Sequence, residues 1–290
     1  MYTTPLRYPG GKSVFTPFLV SLLRINGLEN CIYAEPYAGG AGAATNLLLS
    51  GNVKRILIND ANLGIYAFWK AITEENDRFC DWVMNKPVDL RAWKDWHRIF
   101  LSTKSPSFDL GFATFFLTRT NRSGILNAGP IGGNSEDKQE KAKYKIDCRF
   151  NREALCSRIH SIGEHRQDII VSNKDAIDFL KEQDSDSDIF VYLDPPYYEQ
   201  GKSLYMSYYK PENHKILANY LEHNASFKWV LSYDCVDVIK EYYRQFDVFD
   251  YSINYSARTA RIGRELLAHS PGLILPKDTE IIKYRSHRQK

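Results

Sequence analysis

The tetrapeptide Asp194-Pro195-Pro196-Tyr197 follows an apolar run and carries the residue types that bind a planar amine. Its two prolines fix the backbone and remove two N–H donors, which leaves nearby carbonyl groups as acceptors. In open α/β sheets, ligands bind at the carboxyl ends of strands. An acid, a free carbonyl and an aromatic face can together accept both hydrogens of an exocyclic amine and stack on its ring. These four residues are therefore the candidate catalytic residues, with a purely structural turn as the alternative.

The glycine-rich segment Glu35-Pro36-Tyr37-Ala38-Gly39-Gly40-Ala41-Gly42 is a candidate cofactor-binding motif. Glycine lets the backbone approach a ligand closely. Asp60 ends the next predicted strand, where an acid can hold a ribose diol. The dinucleotide fingerprint Gly-x-Gly-x-x-Gly is met only at its start, by Gly40 and Gly42. The segment therefore favours a nucleoside cofactor that lacks a pyrophosphate over a nicotinamide cofactor.

A third segment, Arg7-Tyr8-Pro9-Gly10-Gly11-Lys12-Ser13, ends like a phosphate-binding loop. The Walker pattern requires another glycine at the position that Leu6 occupies, and no predicted strand precedes the segment. The sequence therefore excludes a Walker loop here. What remains is a loop that presents a lysine and an aromatic side chain to a bound ligand.

The elements around these motifs predict a doubly wound α/β sheet. A strand, a glycine turn, a helix, a second strand and an acid follow one another in the first 60 residues. Apolar spacing predicts strands over 30–36, 53–59, 169–172, 189–193, 229–232 and 249–255, the last of which ends the pattern. It predicts helices over 15–25, 43–49, 212–224 and 236–244. The catalytic tetrapeptide then stands directly after a buried strand.

Residues 63–148 interrupt this pattern. Four of the five tryptophans, Trp69, Trp82, Trp93 and Trp96, lie there at mostly helical spacing, which predicts the core of a helical subdomain. A turn-rich stretch over 119–134 and a lysine-rich stretch follow, and these form either a solvated loop or a basic hairpin that contacts an anion. We therefore expect one catalytic domain from residues 1–62 and 149–290, with a helical insert over 63–148.

The order of these motifs resembles that of the Dam-type DNA adenine-N6 methyltransferases, the alpha-ordered group that uses S-adenosylmethionine. Tyr-Pro-Gly-Gly-Lys, Glu-Pro-Tyr-Ala-Gly-Gly, Asn59-Asp60, the insert and Asp-Pro-Pro-Tyr follow in the family's order, and 230–234, 251–255 and 265–267 extend the likeness over nearly the whole chain. The family's Phe-x-Gly-x-Gly becomes Tyr37-Ala38-Gly39-Gly40-Ala41 here, with the last glycine displaced to Gly42. The resemblance implies a Rossmann-like methyltransferase sheet with an inserted helical target-recognition domain and a β-hairpin.

The resemblance also implies a reaction, in which the enzyme transfers a methyl group from S-adenosylmethionine to the N6 amino group of an adenine flipped out of double-stranded DNA. Cofactor-binding roles fall on Tyr8, Lys12, Glu35, Tyr37, Gly39, Gly40, Asp60, Asp175 and Asp194. Asp194 and Tyr197 would hold the target adenine. DNA-binding roles fall on Arg119, Asn121, Arg122, Ser123, Asn127, Lys143 and Arg258, because arginine reads guanine and asparagine reads adenine in the major groove.

Composition and charge indicate the partners and the cellular location of the protein. The net charge is only +3, but the stretch from Arg258 onward carries eight Lys or Arg against three acids, which suits either phosphate contact or a solvated terminus. The five cysteines form no Cys-x-x-Cys, no apolar run approaches the ~20 residues of a membrane span, and no signal peptide is evident. We expect a cytoplasmic, nucleoid-associated monomer or weak dimer without metal.

Two alternatives stay open at this point. The same motif geometry serves methylation of an RNA adenine or a protein glutamine, although enzymes of that kind usually carry Asn-Pro-Pro-Tyr and lack the inserted hairpin. A non-catalytic DNA-binding module of the same fold is the other alternative.

Overall fold

A single mixed sheet organises the chain. The computed structural model describes residues 3–183, 188–199, 209–255, 261–277 and 283–286. The strands are β1 (Ile32–Glu35), β2 (Arg55–Asn59), β3 (Ile169–Ser172), β4 (Ile189–Leu193), β5 (Lys228–Asp234), β6 (Val248–Tyr255), β7 (Arg261–His269) and β8 (Lys283–Ser286). They lie in the order β3-β2-β1-β4-β5-β7-β6-β8. Strands β1 to β5 pair in parallel, and β7, β6 and β8 add antiparallel partners at one side.

Helices connect and cover these strands. They are α1 (Thr16–Ile25), α2 (Gly42–Leu49), α3 (Leu63–Glu74), α4 (Asn76–Asn85), α5 (Leu90–Ser102), α6 (Phe108–Thr120), α7 (Glu136–Lys141), α8 (Arg152–Glu164), α9 (Ala176–Lys181), α10 (Pro211–His223) and α11 (Asp237–Tyr242). Single turns of 3-10 helix occupy Lys12–Phe15, Arg122–Gly124 and Arg166–Asp168. Side-chain caps start several of these helices, as where Asn62 accepts from the backbone N–H groups of Gly64 and Ile65 at the start of α3.

The winding of the sheet reverses between β1 and β4. From β1 the chain runs outward through β2 to β3, then returns to place β4 against the other side of β1, so that Ile32 is in register with both Arg55 and Ile189. A crevice opens at the carboxyl ends of the two strands where the winding reverses. Glu35 ends β1 and Asp194 follows β4, so the fold brings the glycine-rich motif and the catalytic tetrapeptide to one edge.

The helices of the insert pack on the sheet through shared apolar residues. Sheet residues such as Ile56 and Ile58 belong to the same buried cluster as the aromatic side chains of α3 to α6. Phe68 of α3 stacks on Phe115 of α6, with ring centroids 6.0 Å apart. Gly111 allows this approach, because a Cβ there would lie 2.5 Å from the carbonyl oxygen of Ala67. The predicted domain boundaries at 62/63 and 148/149 stay a prediction.

The α/β prediction is confirmed, and most predicted elements match within two or three residues. The expectation that the strand pattern ends at Tyr255 is wrong: β7 lies between β5 and β6, inside the sheet. The anticipated hairpin over 119–134 is reduced, within the described residues, to one isolated antiparallel bridge between Asn121 and Pro130. Between these two residues the backbone forms short-range hydrogen bonds, such as those from Ile125 N–H to the Arg122 carbonyl and from Ala128 N–H to the Ile125 carbonyl, around the turn at Arg122–Gly124.

Candidate active site

A cleft lies at the carboxyl edge of β1 and β4, as the reversal of the winding requires. Among its lining residues are ten from the sequence-derived set: Tyr8, Lys12, Glu35, Tyr37, Gly39, Gly40, Asp60, Asp175, Asp194 and Pro196. Sequence reasoning did not select Asn62, Ala176 or Tyr192, which also line it. The fold therefore joins the candidate cofactor loop and two residues of the candidate catalytic tetrapeptide, Asp194 and Pro196, in one cavity, whereas Pro195 and Tyr197 are not among its lining residues.

The peptide group of Gly39 is fixed from both sides. Its N–H donates to Oδ2 of Asp60 at 2.8 Å, and its carbonyl accepts from Nε1 of Trp69, in helix α3 of the insert, at 2.9 Å. Gly39 has φ +46°, and a Cβ there would lie 2.6 Å from the ring of Tyr8. Ala41, where the family's motif has its last glycine, also adopts a left-handed conformation at φ +41°. The backbone at position 41 thus adopts a conformation that favours glycine, although the residue there is alanine.

Asp60 and Asp175 place two carboxyl groups in the cleft. Asp60 accepts from the N–H groups of Asn62 and Gly39, each at 2.8 Å. Burial raises the pKa of Asp60 to about 6, although these two hydrogen bonds act in the opposite direction. Asp175 caps α9 by accepting from the N–H of Ile177 at 2.9 Å. Both acids are therefore held in place by backbone donors.

Glu35 lies at the end of β1, nearly buried. Its Oε1 accepts from the Tyr33 hydroxyl and from the N–H of Ala44 near the start of α2, each at 3.0 Å. Burial raises the pKa of Glu35 to about 8, against the effect of these two hydrogen bonds. Glu35 therefore ties the glycine turn to the strand as well as lining the cleft.

Asp194 is bound by two donors from different elements. Nζ of Lys12 lies 3.0 Å from its Oδ1, and the Ser232 hydroxyl of β5 donates to the same oxygen at 3.0 Å. Burial raises the pKa of Asp194 to about 6; Lys12 lowers this pKa, while Glu265 raises it. Titratable groups that face Asp194 are Lys12, Glu35, Tyr192, Tyr233 and Glu265.

Lys12 lies between two carboxylates. Its Nζ is 3.0 Å from Oδ1 of Asp194 and 3.2 Å from Oε1 of Glu265, and it also donates to the Tyr197 hydroxyl at 2.7 Å. Burial by itself lowers the pKa of Lys12, but the two carboxylates outweigh it and raise the pKa well above its usual value. Lys12 was selected from the sequence as a cofactor ligand; in the structure it is also a direct neighbour of the catalytic acid.

Glu265 belongs to this site, yet sequence reasoning assigned it no role. It lies on β7, 2% exposed, and accepts from Tyr197, Lys12 and Tyr251. The only sequence signal was its place in the segment 265–267 of the family resemblance. Because β7 itself was not predicted, nothing in the sequence indicated that this carboxylate points inward.

Tyr209 meets Tyr37 at the rim of the cleft, with hydroxyl oxygens 2.7 Å apart and rings in an edge-to-face arrangement. The sequence leaves two interpretations for Tyr205, Tyr208 and Tyr209, which follow the candidate catalytic tetrapeptide: a loop that closes over a flipped base, or an ordinary packed loop. Tyr205 and Tyr208 lie outside the described residues. Tyr209 lines the cleft, so its position agrees with a contact to a bound ligand.

The family model for D12 class N6 adenine-specific DNA methyltransferases matches residues 8–256, which include both the glycine-rich loop and the catalytic tetrapeptide. The chain belongs to this family. It is therefore an enzyme, an adenine-specific DNA methyltransferase. The alternative of a non-catalytic module is set aside by this membership.

Two further comparisons accompany the family match. The type II methyltransferase M.CviBI of Paramecium bursaria Chlorella virus NC1A is 23% identical over 247 residues, which cover 81% of this chain and 85% of the relative. A solved structure of a Legionella pneumophila protein from family DUF519 covers 90% of this chain and 86% of its own, at 10% identity and a TM-score of 0.32. That score is too low to carry an argument.

The candidate DNA-binding residues of this methyltransferase separate into exposed and buried groups. Arg122, Ser123, Asn127 and Lys143 are exposed. Asn121 is 0% exposed, which conflicts with the predicted DNA contact at this residue. Its amide nitrogen donates to the carbonyls of Ile125 and Leu126, and its side-chain oxygen accepts from Nε1 of Trp93. All of its polar atoms are thus engaged within the protein, and Asn121 shapes the loop instead of reading a base.

Arg119 is half-buried and donates through Nε to the carbonyl of Pro5 at 2.6 Å. Burial, together with the neighbouring cations Arg158 and Arg7, lowers the pKa of Arg119 to about 9. These three arginines form a concentration of positive charge beside the segment that leads into the cleft. Arg258 lies outside the described residues.

Two further observations on the described residues concern metal ligands and membrane-spanning helices. Within residues 3–183, 188–199, 209–255, 261–277 and 283–286, no three His, Cys, Asp or Glu side chains are grouped as metal ligands would be. None of the helices described there is long and apolar enough to span a bilayer.

Proposed function

We propose that this methyltransferase transfers a methyl group from S-adenosylmethionine to N6 of an adenine that is flipped out of duplex DNA. The observation that carries the proposal is the shared cleft, in which Asp60 and Gly39 lie at one part and Asp194 at the other. DNA adenine methylation follows from the family. The cofactor, the base flipping and the residue roles are our proposal.

The charges of the cleft favour S-adenosylmethionine. Four acids line the cavity, Glu35, Asp60, Asp175 and Asp194. Lys12 is paired with Asp194, and Glu35 is largely protonated near neutral pH because burial raises its pKa to about 8, so the acids left for a cationic ligand are Asp60 and Asp175. A cavity of this kind suits a ligand that carries a sulfonium and an ammonium group and lacks phosphate. Asp60 and Asp175 present carboxyl oxygens to hydroxyl or amine donors, and the turn at Gly39 and Gly40 brings backbone close to the ligand.

When bound, S-adenosylmethionine supplies a methyl group that is already electrophilic. The task of the chain is therefore to make the adenine amine nucleophilic and to align it. Both contacts that Asp194 makes within the described residues use Oδ1, so Oδ2 is available to accept from the amine. Together with the Pro195 carbonyl, Asp194 favours a tetrahedral nitrogen whose lone pair faces the methyl group. This is electrostatic preorganisation combined with alignment.

An adenine inside a duplex does not reach this cleft, so the base leaves the stack at a cost of a few kcal/mol. Tyr197 follows the two prolines and offers a ring on which the extruded base stacks. The exposed residues Arg122, Ser123 and Asn127 are proposed to contact base edges. Arg119, with Arg7 and Arg158 beside it, is proposed to attract backbone phosphate. Lys143 and Arg258 stay predicted phosphate contacts.

The biological role that we propose rests on the likeness to the viral relative. That viral protein is named a type II methyltransferase, and on this likeness we propose that the chain is a site-specific modification enzyme of a restriction-modification system, acting on DNA of the nucleoid. Sequencing of methylated bases in DNA from a host that expresses the chain would give the recognition site. Methylation scattered without a common sequence would contradict site specificity.

The reaction is tested with labelled S-adenosylmethionine and three acceptors: duplex DNA, RNA and protein. We expect label in DNA only, recovered as N6-methyladenine. Asp194→Ala should fold, because Lys12 retains Glu265 as a partner, and should still bind cofactor. Its methyl transfer should fall by at least about 10²–10³-fold, as when a preorganised transition-state contact is lost. The matched control is Asp95→Ala, an exposed acid of α5. Near-normal turnover of Asp194→Ala would contradict the assignment.

A further inference from the structure

Glu265 is a carboxylate enclosed by the sheet and the catalytic segment. On β7 it is in register with Asp234 of β5 and with Tyr251 of β6, and its residue is 2% exposed. A buried carboxylate is costly unless donors satisfy it. The donors found here come from three separate elements, so the acid connects parts of the chain that are distant in sequence.

The two carboxylate oxygens of Glu265 accept hydrogen bonds from different donors. Oε1 accepts from the Tyr197 hydroxyl at 2.5 Å and from Nζ of Lys12 at 3.2 Å. Oε2 accepts from the Tyr251 hydroxyl. One of these donors, Tyr197, belongs to the candidate catalytic tetrapeptide, and another, Lys12, is ion-paired with Asp194. The third, Tyr251, is fully buried and fixes the carboxylate itself.

We infer that Glu265 is a positioning residue for methyl transfer, which holds the Tyr197 hydroxyl and the Lys12 ammonium so that the Tyr197 ring and the Asp194 carboxylate keep their places. The inference rests on the proposed function and deepens it.

Tyr197 is held at both ends by this arrangement. The two prolines before it restrict the backbone that leads into it, and Glu265 accepts a hydrogen bond from its hydroxyl. A ring that is fixed before the base arrives loses less conformational entropy on stacking. Tyr197 is only half-buried, so packing alone does not hold it. Charge-assisted hydrogen bonds such as the one to Glu265 are among the strong ones.

Lys12 is shared between Asp194 and Glu265 at nearly equal distances, 3.0 and 3.2 Å. Its Nζ also lies 5.1 Å from the centre of the Tyr197 ring. Without the second carboxylate, Lys12 would pair with Asp194 alone and compete with the substrate amine for it. Glu265 therefore moderates how strongly the lysine engages the catalytic acid.

The test compares Glu265→Gln with Tyr197→Phe and with the double variant. Glu265→Gln keeps the side-chain shape and removes the charge; Tyr197→Phe keeps the ring and removes the hydroxyl, and is expected to fold because this residue is half-buried. Wild-type protein and all variants are assayed for kcat, KM for DNA, cofactor affinity and the pH profile of kcat, with thermal unfolding as a check. Glu241→Gln, an exposed acid of α11, is the matched control.

We expect Glu265→Gln to lower kcat by at least about 10-fold while cofactor affinity stays unchanged, because a charge-assisted contact to the catalytic segment is lost. The acidic limb of its kcat profile should move to lower pH, since Glu265 raises the pKa of Asp194. A purely structural acid would not move that limb. The double variant should be little worse than the poorer single variant, because both remove the same contact.

The outcomes separate the two proposals. If wild-type protein does not methylate DNA adenine, the proposed function fails and this inference fails with it. If wild-type protein is active and Glu265→Gln keeps both kcat and its acidic limb, the inference alone is overturned. Should Glu265→Gln not fold, Tyr197→Phe decides: an unchanged kcat shows that the hydroxyl contact positions nothing and overturns the inference.

Discussion

Lys12 determines how much of Asp194 is ionised near neutral pH. Burial disfavours the charged form of any carboxyl group, and a nearby ammonium favours it. In this site the two effects meet at Asp194, whose pKa burial raises to about 6 and which Lys12 keeps from rising further. The ionised carboxylate is the stronger acceptor for the hydrogen bond that Oδ2 is proposed to take from the amine. The lysine therefore acts on the reaction through the charge of the acid.

We predict that Lys12→Met moves the acidic limb of the kcat profile upward. Wild-type activity should rise through a pH near 6, where Asp194 loses its proton. Without the ammonium, the pKa of Asp194 is higher, and the limb should move up by about 1–3 pH units, the effect of an opposite charge at this distance. Activity at pH 7 then falls, and raising the pH should restore part of it.

The control is Lys54→Met, an exposed lysine paired with Asp188 at the other end of the strands. Its kcat profile should match that of the wild type. An acidic limb that stays in place in Lys12→Met would show that this lysine does not set the ionisation of Asp194.

At the scale of elements, the turn between β1 and α2 is built around one peptide group. Asp60 after β2 and Trp69 in α3 hold the N–H and the carbonyl of Gly39, while Tyr8 packs on its Cα. Three segments thereby meet at a position that has no side chain. The loop is rigid because its neighbours fill the space that a side chain would need.

We predict that Gly39→Ala destabilises the protein more than Gly51→Ala does. Both glycines have positive φ, +46° and +69°, but a Cβ at Gly51 meets nothing within 4 Å, whereas one at Gly39 lies 2.6 Å from the Tyr8 ring. The left-handed conformation costs about 1–2 kcal/mol for alanine at either site. Overpacking against Tyr8 should cost about 1–3 kcal/mol more at Gly39. Denaturant unfolding measures both, and equal losses would show that the Tyr8 contact yields without cost.

The elements also show what a sequence can and cannot indicate. Asp194 and the glycine turn were identifiable because each motif is local and follows a continuous apolar strand. Strand β7 was not, because Arg264 and Glu265 interrupt its apolar pattern and its partners are distant along the chain. Asn121 was misread for a related reason: an asparagine in a turn-rich segment looks the same in sequence whether it faces DNA or the interior. Its burial depends on Trp93, in a different helix.

At the scale of the molecule, the weak net charge conceals two regions of opposite charge. Of the 38 basic and 35 acidic residues, four acids are concentrated in the cleft, while Arg122 and Lys143 extend from the insert into solvent. The proposed function, with a cationic cofactor and polyanionic DNA as the substrate, fits this separation. Within the insert, the hydrogen bond from Trp93 to Asn121 fixes the loop over 121–130, and Trp69 links the insert to the glycine turn through the carbonyl of Gly39.

This attachment makes the exposed loop a rigid probe, and we predict that Arg122→Gln weakens binding to the cognate site specifically. An arginine that reads guanine contributes about 1–3 kcal/mol of discrimination, so the affinity for cognate duplex should fall by roughly 10–100-fold while non-cognate affinity is unchanged. Titrations over a range of salt concentration check this. Arg98→Gln, an exposed arginine of the same insert paired with Asp95, should behave as wild type. A uniform loss on both duplexes, with a salt slope lowered by about 1, would instead place Arg122 on a phosphate. Unchanged binding to both would remove this loop from the DNA surface.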